Sequence, residues 1–131
     1  MPSLRLEHVA FNVSDPAAAA AWYVAHLGMR VARKVEVAPF MHFLADASNS
    51  MLIELYANPV AAVPDYPAKH PIELHIAFAT GDPDGDRAAL VAAGATFVDE
   101  STLADGSRLV MLRDPWGLAL QLCQRVSPIL P

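Results

Sequence analysis

Short runs of β-forming residues alternate with alanine-rich stretches along the chain, and the same order occurs twice. In each copy an apolar run leads to Asp-Pro, then to an alanine-rich stretch that stops near a glycine, and then to three further strand-like runs. The later runs cover 29–37, 40–45 and 51–56 in the first copy and 95–99, 108–112 and 118–124 in the second. This order predicts a strand, a helix and three strands in each copy.

The two copies also share residues at a constant separation. The nine residues from His8 read HVAFNVSDP and those from His75 read HIAFATGDP, with five identities at positions 67 residues apart. Asp15 and Asp82 are suited to cap a helix N-terminus, and the proline after each suits the first helical position, which needs no N–H. An internal repeat is therefore the primary feature of the sequence.

The repeat predicts one α+β domain, built from two paired βαβββ modules. Module one covers about residues 4–56 and module two about residues 72–125. The segment 57–71 contains four prolines, which exclude a regular helix or an interior strand, and it is the predicted linker.

Polar residues recur at equivalent places in these apolar strands. His8 and His75 occupy one pair of repeat positions, and Glu54 and Gln121 occupy a second pair, again 67 residues apart. Successive side chains of a strand point to opposite faces, so each of the four has a defined face. If the modules pack about a pseudo-twofold axis, equivalent positions converge in pairs.

Two imidazole nitrogens and two side-chain oxygens form a ligand set suited to one divalent ion of Zn, Ni, Co, Mn or Fe. Each residue also has a simpler interpretation. A histidine within a strand is often a hydrogen-bonded core residue, and Glu54 would be an ordinary edge residue if its face were solvated. A buried, unpaired carboxylate is costly, however, and the coincidence of two repeat pairs favours the metal.

Composition restricts the partners further. The net charge of −5 and the nine scattered Lys and Arg residues provide no basic surface for nucleic acid. No apolar run is long enough to span a bilayer and no signal-peptide pattern precedes the first strand, so we expect a soluble, cytoplasmic protein. Cys123, the only cysteine, is interpreted as a buried apolar thiol.

The quoted motifs resemble those of the vicinal oxygen chelate superfamily, which includes glyoxalase I, extradiol dioxygenases, methylmalonyl-CoA epimerase and bleomycin-resistance proteins. The resemblance covers nearly the whole chain, and it implies that the paired modules form a curved mixed sheet around a metal site. It rests on five segments, which read LEHVAFNVSDP, WYVAHLG, LIEL, LHIAF and RDPWGLALQL. It implies that the metal ligands come from the first and fourth strands of each module, here His8, Glu54, His75 and Gln121.

The resemblance also implies a small-molecule substrate with vicinal oxygens and a homodimer. Gln121 stands where glyoxalase-like members commonly carry Glu, and an amide cannot accept a proton. We therefore expect a glyoxalase- or epimerase-like lyase or isomerase in which Glu54 is the base. An extradiol-type dioxygenase and a non-catalytic, drug-sequestering protein are the alternatives.

Two further residues are candidates for the substrate pocket. Asn12 shares a strand face with His8, and it either contacts substrate or satisfies backbone groups. Tyr56 follows Glu54 on the same face, and it either lines the pocket or belongs to the core. His42 is assigned outside the metal site because its repeat partner, at the same separation of 67 residues, is Leu109.

Overall fold

The computed structural model describes all residues from 1 to 131 and confirms two βαβββ modules. Module one contains β1 (His8–Asn12), α1 (Pro16–Leu27), β2 (Arg30–Lys34), β3 (His42–Ala45) and β4 (Leu52–Tyr56). Module two contains β5 (Ile76–Ala79), α2 (Pro83–Ala92), β6 (Thr96–Thr102), β7 (Arg108–Arg113) and β8 (Ala119–Gln124). The chain divides into two compact units, Met1–Pro64 and Asp65–Pro131.

Each module has its own four-stranded mixed sheet. The strand orders are β1-β4-β3-β2 and β5-β8-β7-β6, so the first and last strands of each module are neighbours. These neighbours run parallel, while the other pairs are antiparallel. A parallel pair needs a crossover connection, and in each module the helix provides the first part of it.

The helices begin as the sequence predicts. The Asp15 carboxylate accepts a hydrogen bond from the Ala18 amide at 3.0 Å, and the Asp82 carboxylate accepts one from the Gly85 amide at 3.1 Å. Gly28 ends α1 in the left-handed conformation, with φ of 67°. No helix is long and apolar enough to cross a membrane.

Each sheet has a core on the face that its helix covers. In module one Tyr23 of α1 is buried with Leu44 and Leu55 of the sheet. In module two Leu90 of α2 is buried, and the sheet contributes Val110, Leu112, Leu120 and Leu122. Residues that alternate with these point to the other face, which is where the predicted site residues lie.

The second half of the predicted linker packs as part of module two. Tyr66–Ala68 forms one turn of 3-10 helix with Tyr66 buried, which the prolines still permit because the turn is so short. The Arg113 guanidinium donates to the carbonyl oxygens of Tyr66 at 3.1 Å and Lys69 at 2.8 Å. It also donates to the Gly117 carbonyl oxygen at 2.9 Å, so one side chain joins the linker to the β7–β8 turn.

Gly117 lies against this docked segment. A Cβ atom at Gly117 would lie 2.9 Å from the backbone nitrogen of Pro67 and closer still to its ring, and φ is 97°. Gly106, in the β6–β7 turn, has a similar φ of 93°, but a Cβ there would meet only Val126, at 3.5 Å.

We predict that Gly117→Ala lowers the free energy of unfolding by about 1 to 3 kcal/mol more than Gly106→Ala, because overpacking adds to a backbone strain that both share. Urea denaturation of the two variants measures the difference. Equal losses would show that the linker moves away from Gly117 without cost.

Candidate metal and substrate site

His8 and Glu54 meet on one face of the first sheet. In the parallel register Ala10 pairs with Glu54, so His8 lies two residues earlier on the same face. The His8 Nε2 atom is 3.5 Å from Glu54 Oε1. Glu54 belongs to an interior strand and is only 7% exposed, which rules out the interpretation of Glu54 as a solvated edge residue. The Phe43 ring borders His8 and Glu54. Phe43 is the cross-strand neighbour of Glu54, and its ring is edge-on to the His8 ring with 5.7 Å between the ring centroids.

Module two repeats the pairing of the first and last strands, with Gln121 at the position of Glu54. Ala77 pairs with Gln121, as Ala10 pairs with Glu54, and His75 lies two residues before Ala77. His75 and Gln121 are both half-buried. The Gln121 side-chain oxygen accepts a weak hydrogen bond from the Cys123 thiol at 3.2 Å.

Both histidines have their Nδ1 atom held by an oxygen acceptor. His75 Nδ1 lies 2.7 Å from the carbonyl oxygen of Pro71, and His8 Nδ1 lies 2.9 Å from a carboxylate oxygen of Glu7. A carbonyl or carboxylate oxygen only accepts, so Nδ1 carries the hydrogen and the neutral ring keeps its lone pair on Nε2. Metal-binding histidines in proteins are commonly oriented in this way, and the residues therefore fit a divalent ion.

The ligand candidates occur in twos, with one nitrogen and one oxygen donor in each module. No group of three or more His, Cys, Asp or Glu side chains in the chain is arranged to hold a metal. The structure thus brings His8 and Glu54 into proximity. In module two Gln121 has the register equivalent to that of Glu54, but His75 lies one residue before β5 and is outside the sheet pairing. A site made from all four residues stays a prediction.

Asn12 binds backbone. Its amide nitrogen donates to the carbonyl oxygens of Asn58 at 3.1 Å and Ala61 at 3.0 Å, and its side-chain oxygen accepts from the Asn58 amide at 2.8 Å. These bonds favour the backbone role over the substrate role for Asn12. Tyr56 is half-buried and pairs with Asn12, and its place in a pocket stays a prediction.

His42 lies outside the site, but the reason differs from the one drawn from the repeat. It pairs with Leu55 on the helix-covered face and is 8% exposed, and its Nδ1 contacts the Phe40 carbonyl oxygen at 2.7 Å. Leu122, the counterpart of Leu55, pairs with Val110. The partner of His42 is therefore Val110 and not Leu109, so the separation of 67 residues does not hold for this strand.

Cys123 is buried, as predicted, at 6% exposure. Burial raises the pKa of its thiol, and the nearby Arg125 opposes this shift only in part. A thiol with a raised pKa is a poor nucleophile at neutral pH, so the contact of Cys123 with the candidate site is its hydrogen bond to Gln121. Three groups near the site were not found from the sequence, namely Glu7, the Pro71 carbonyl and Arg125. The adjacency of Glu7 to His8 was the one signal that could have found any of them.

The fold of two βαβββ modules agrees with a comparison against known families. A model of the Glyoxalase/Bleomycin resistance protein/Dioxygenase superfamily matches residues 5–122. The chain belongs to this superfamily. A sequence search among curated proteins finds no significant match.

Solved structures of the superfamily share the fold. A superfamily member from Sphaerobacter thermophilus is 19% identical, with a TM-score of 0.70 over 94% of this chain and 98% of that one. An antibiotic-binding protein from Streptomyces sp. CB03234 is 21% identical, with a TM-score of 0.73 over 95% and 98%. A variant of glyoxalase I from Zea mays is 22% identical, with a TM-score of 0.74 over 94% of this chain but only 46% of that one. Enzymes and binding proteins thus share this architecture.

We predict that Asn12→Ala lowers the free energy of unfolding by about 2 to 3 kcal/mol, since it removes three hydrogen bonds worth about 1 kcal/mol each. Asn58→Ala is the matched control, because its side chain accepts one bond, from the Val60 amide at 3.0 Å. Thermal and urea denaturation measure both. An unchanged stability of Asn12→Ala would instead direct attention to a ligand contact.

Proposed function

We propose that the protein is a divalent-metal-dependent enzyme of this superfamily that removes a proton from a carbon beside a carbonyl group. His8, Glu54, His75 and Gln121 would hold the metal, two ligands from each module. The observation that carries the proposal is the buried Glu54 carboxylate, whose oxygen is 3.5 Å from the Nε2 atom of His8.

Each residue of the proposed site has a defined part. The two imidazoles would offer Nε2 to the metal, because their Nδ1 atoms are already committed to oxygen acceptors. Gln121 supplies an amide oxygen, which binds but cannot take up a proton. Only Glu54 has a carboxylate, so it is the group that removes the proton and returns it. The chemistry supplied by a bound divalent metal is stabilisation of negative charge on the substrate oxygens.

The surroundings of Glu54 suit this role. β3 and β1 flank its strand on both sides, and Phe43 covers the neighbouring imidazole edge-on. A carboxylate with little water around it has few competing hydrogen bonds, so a substrate bound there becomes its principal partner. The asymmetry between Glu54 and Gln121 supports a base in module one only.

Two other functions are separated from this one by direct assays. An extradiol-type dioxygenase would consume oxygen when a catechol is added, and the proposed enzyme would not. A drug-sequestering protein would retain its ligand without any metal. The homodimer and the cytoplasmic location stay predictions.

We predict that the purified chain binds one Ni²⁺, Zn²⁺ or Fe²⁺ ion per chain after reconstitution. His8→Ala and His75→Ala should each weaken binding by more than about 100-fold, because the loss of a mere supporting partner already costs about 10- to 100-fold. His26→Ala is the control, since His26 is exposed and its ring makes a tilted contact with Trp22. Metal analysis by mass spectrometry reads the result. A chain that takes up no metal would remove the basis of the enzyme proposal.

We predict that Glu54→Gln retains bound metal but slows proton exchange by about 10²- to 10⁴-fold, the usual contribution of a general base. Deuterium uptake from D₂O into small α-hydroxycarbonyl compounds, followed by NMR, measures the exchange. Adding Gln121→Glu to this variant returns a carboxylate at the repeat-equivalent position and should recover part of the rate. Undiminished exchange in Glu54→Gln would exclude Glu54 as the base.

A further inference from the structure

Module two contains a cavity that the proposed reaction does not yet use. Its volume is about 610 Å³, within the range typical of small-molecule pockets. Residues 77–81, which include the end of the edge strand β5, form one wall of the cavity. The rest of the lining is Cys123, Arg125 and the C-terminal residues Pro128, Ile129 and Leu130.

The chemistry of the walls is apolar with one cation. Ala77, Ala79, Ile129 and Leu130 all have exposed side chains, and the last two are 76% and 79% exposed. Exposed apolar side chains that border a cavity are a common mark of a ligand site. Arg125 is the only charged residue in the lining, so the cavity has no carboxylate of its own.

Arg125 makes none of the ion pairs in the structure. The acid whose pKa responds to its charge is Asp105, whose carboxylate accepts a hydrogen bond from the Ser107 amide at 2.8 Å. That bond is the main reason why the pKa of Asp105 is lowered, and Arg125 adds a smaller effect from a distance. The half-buried Arg125, whose side chain also bonds to the Cys123 thiol, thus lines an apolar cavity without a carboxylate partner, an arrangement suited to an anion.

The cavity adjoins the candidate site through two residues. Ala77 lines the cavity and pairs with Gln121, and Cys123 lines it and donates to the Gln121 oxygen at 3.2 Å. Gln121 and Arg125 are four residues apart along an extended chain, which corresponds to about 13 Å. One molecule of medium length can therefore reach both.

We propose that this cavity binds an amphipathic organic acid, whose carboxylate pairs with Arg125 and whose apolar chain lies between residues 77–81 and the C-terminal segment. The inference rests on the proposed function, because it places the reacting end of that acid beside Gln121. Arg125 is then the residue that selects acidic substrates. The C-terminal residues 128–130 supply apolar contact without selecting charge.

The test compares octanoate with its neutral analogue octanamide, using the full-length chain freed of metal by a chelator. Titration calorimetry should show octanoate bound about tenfold more tightly, as expected for a charge-assisted hydrogen bond. In ¹⁵N NMR spectra both probes should shift amides of residues 77–81 and 123–125. Equal affinities, or shifts located elsewhere, would overturn the proposal.

Three variants assign the contributions. Arg125→Gln should remove the preference for octanoate, and Arg125→Lys should keep part of it. Arg33→Gln is the matched control, because it removes the same charge from an exposed position on β2 and should leave the preference intact. A chain ending at Ser127 should bind both probes more weakly by a similar factor. Persistence of the full preference in Arg125→Gln, confirmed as folded by circular dichroism, would contradict the role of Arg125.

The design separates the failure of this inference from that of the proposed function. A chain that loads metal but shows no preference for octanoate would refute only the acid-binding cavity. A chain that prefers octanoate yet takes up no metal would refute the enzyme proposal and leave an acid-binding protein.

Discussion

The parallel pairing of the first and last strands of each module is the constraint on which the rest of the structure depends. It places Ala10 beside Glu54 and Ala77 beside Gln121. In module one this brings His8, two residues before Ala10, onto the face of Glu54, whereas in module two His75 lies one residue before β5. Because the pleat alternates with a period of two, the same pairing sends Leu55 and Leu122 to the helix-covered core. The same register therefore decides which residues enter the core and which lie at the candidate site. A slip of one residue would exchange the two sets of side chains between the sheet faces.

Several smaller interactions serve this arrangement. The Asp-Pro caps start the two crossover helices directly after β1 and β5. In module two, Arg113 and Gly117 hold the linker segment, which ends at Pro71, the residue whose carbonyl orients His75. The hydrogen bonds of Arg113 thus hold the segment whose last carbonyl keeps the hydrogen of His75 on Nδ1.

The sequence was sufficient for the elements, since strand, cap, helix and glycine recur in order, and for the face on which His8, Glu54 and Gln121 lie. It did not show that β5 begins at Ile76, one residue after His75. It failed where spacing within the modules differs. The turn before β4 spans residues 46–51 and the turn before β8 spans residues 114–118, one residue fewer, so His42 corresponds to Val110. The docked linker and Arg125 were also missed, because their significance depends on partners that are distant in the sequence or on a cavity, and neither produces a periodic pattern.

X-ray absorption spectroscopy at the zinc edge of the reconstituted protein is the sharpest test of the four-residue metal site, because it identifies the ligands themselves. Our interpretation predicts two imidazole nitrogens with the remaining ligands oxygen, at about 2.0 to 2.2 Å. A sulfur neighbour near 2.3 Å would place Cys123 in the site, and a single imidazole would show that the two modules do not share one ion. Either result would contradict the claim that His8, Glu54, His75 and Gln121 act as one set.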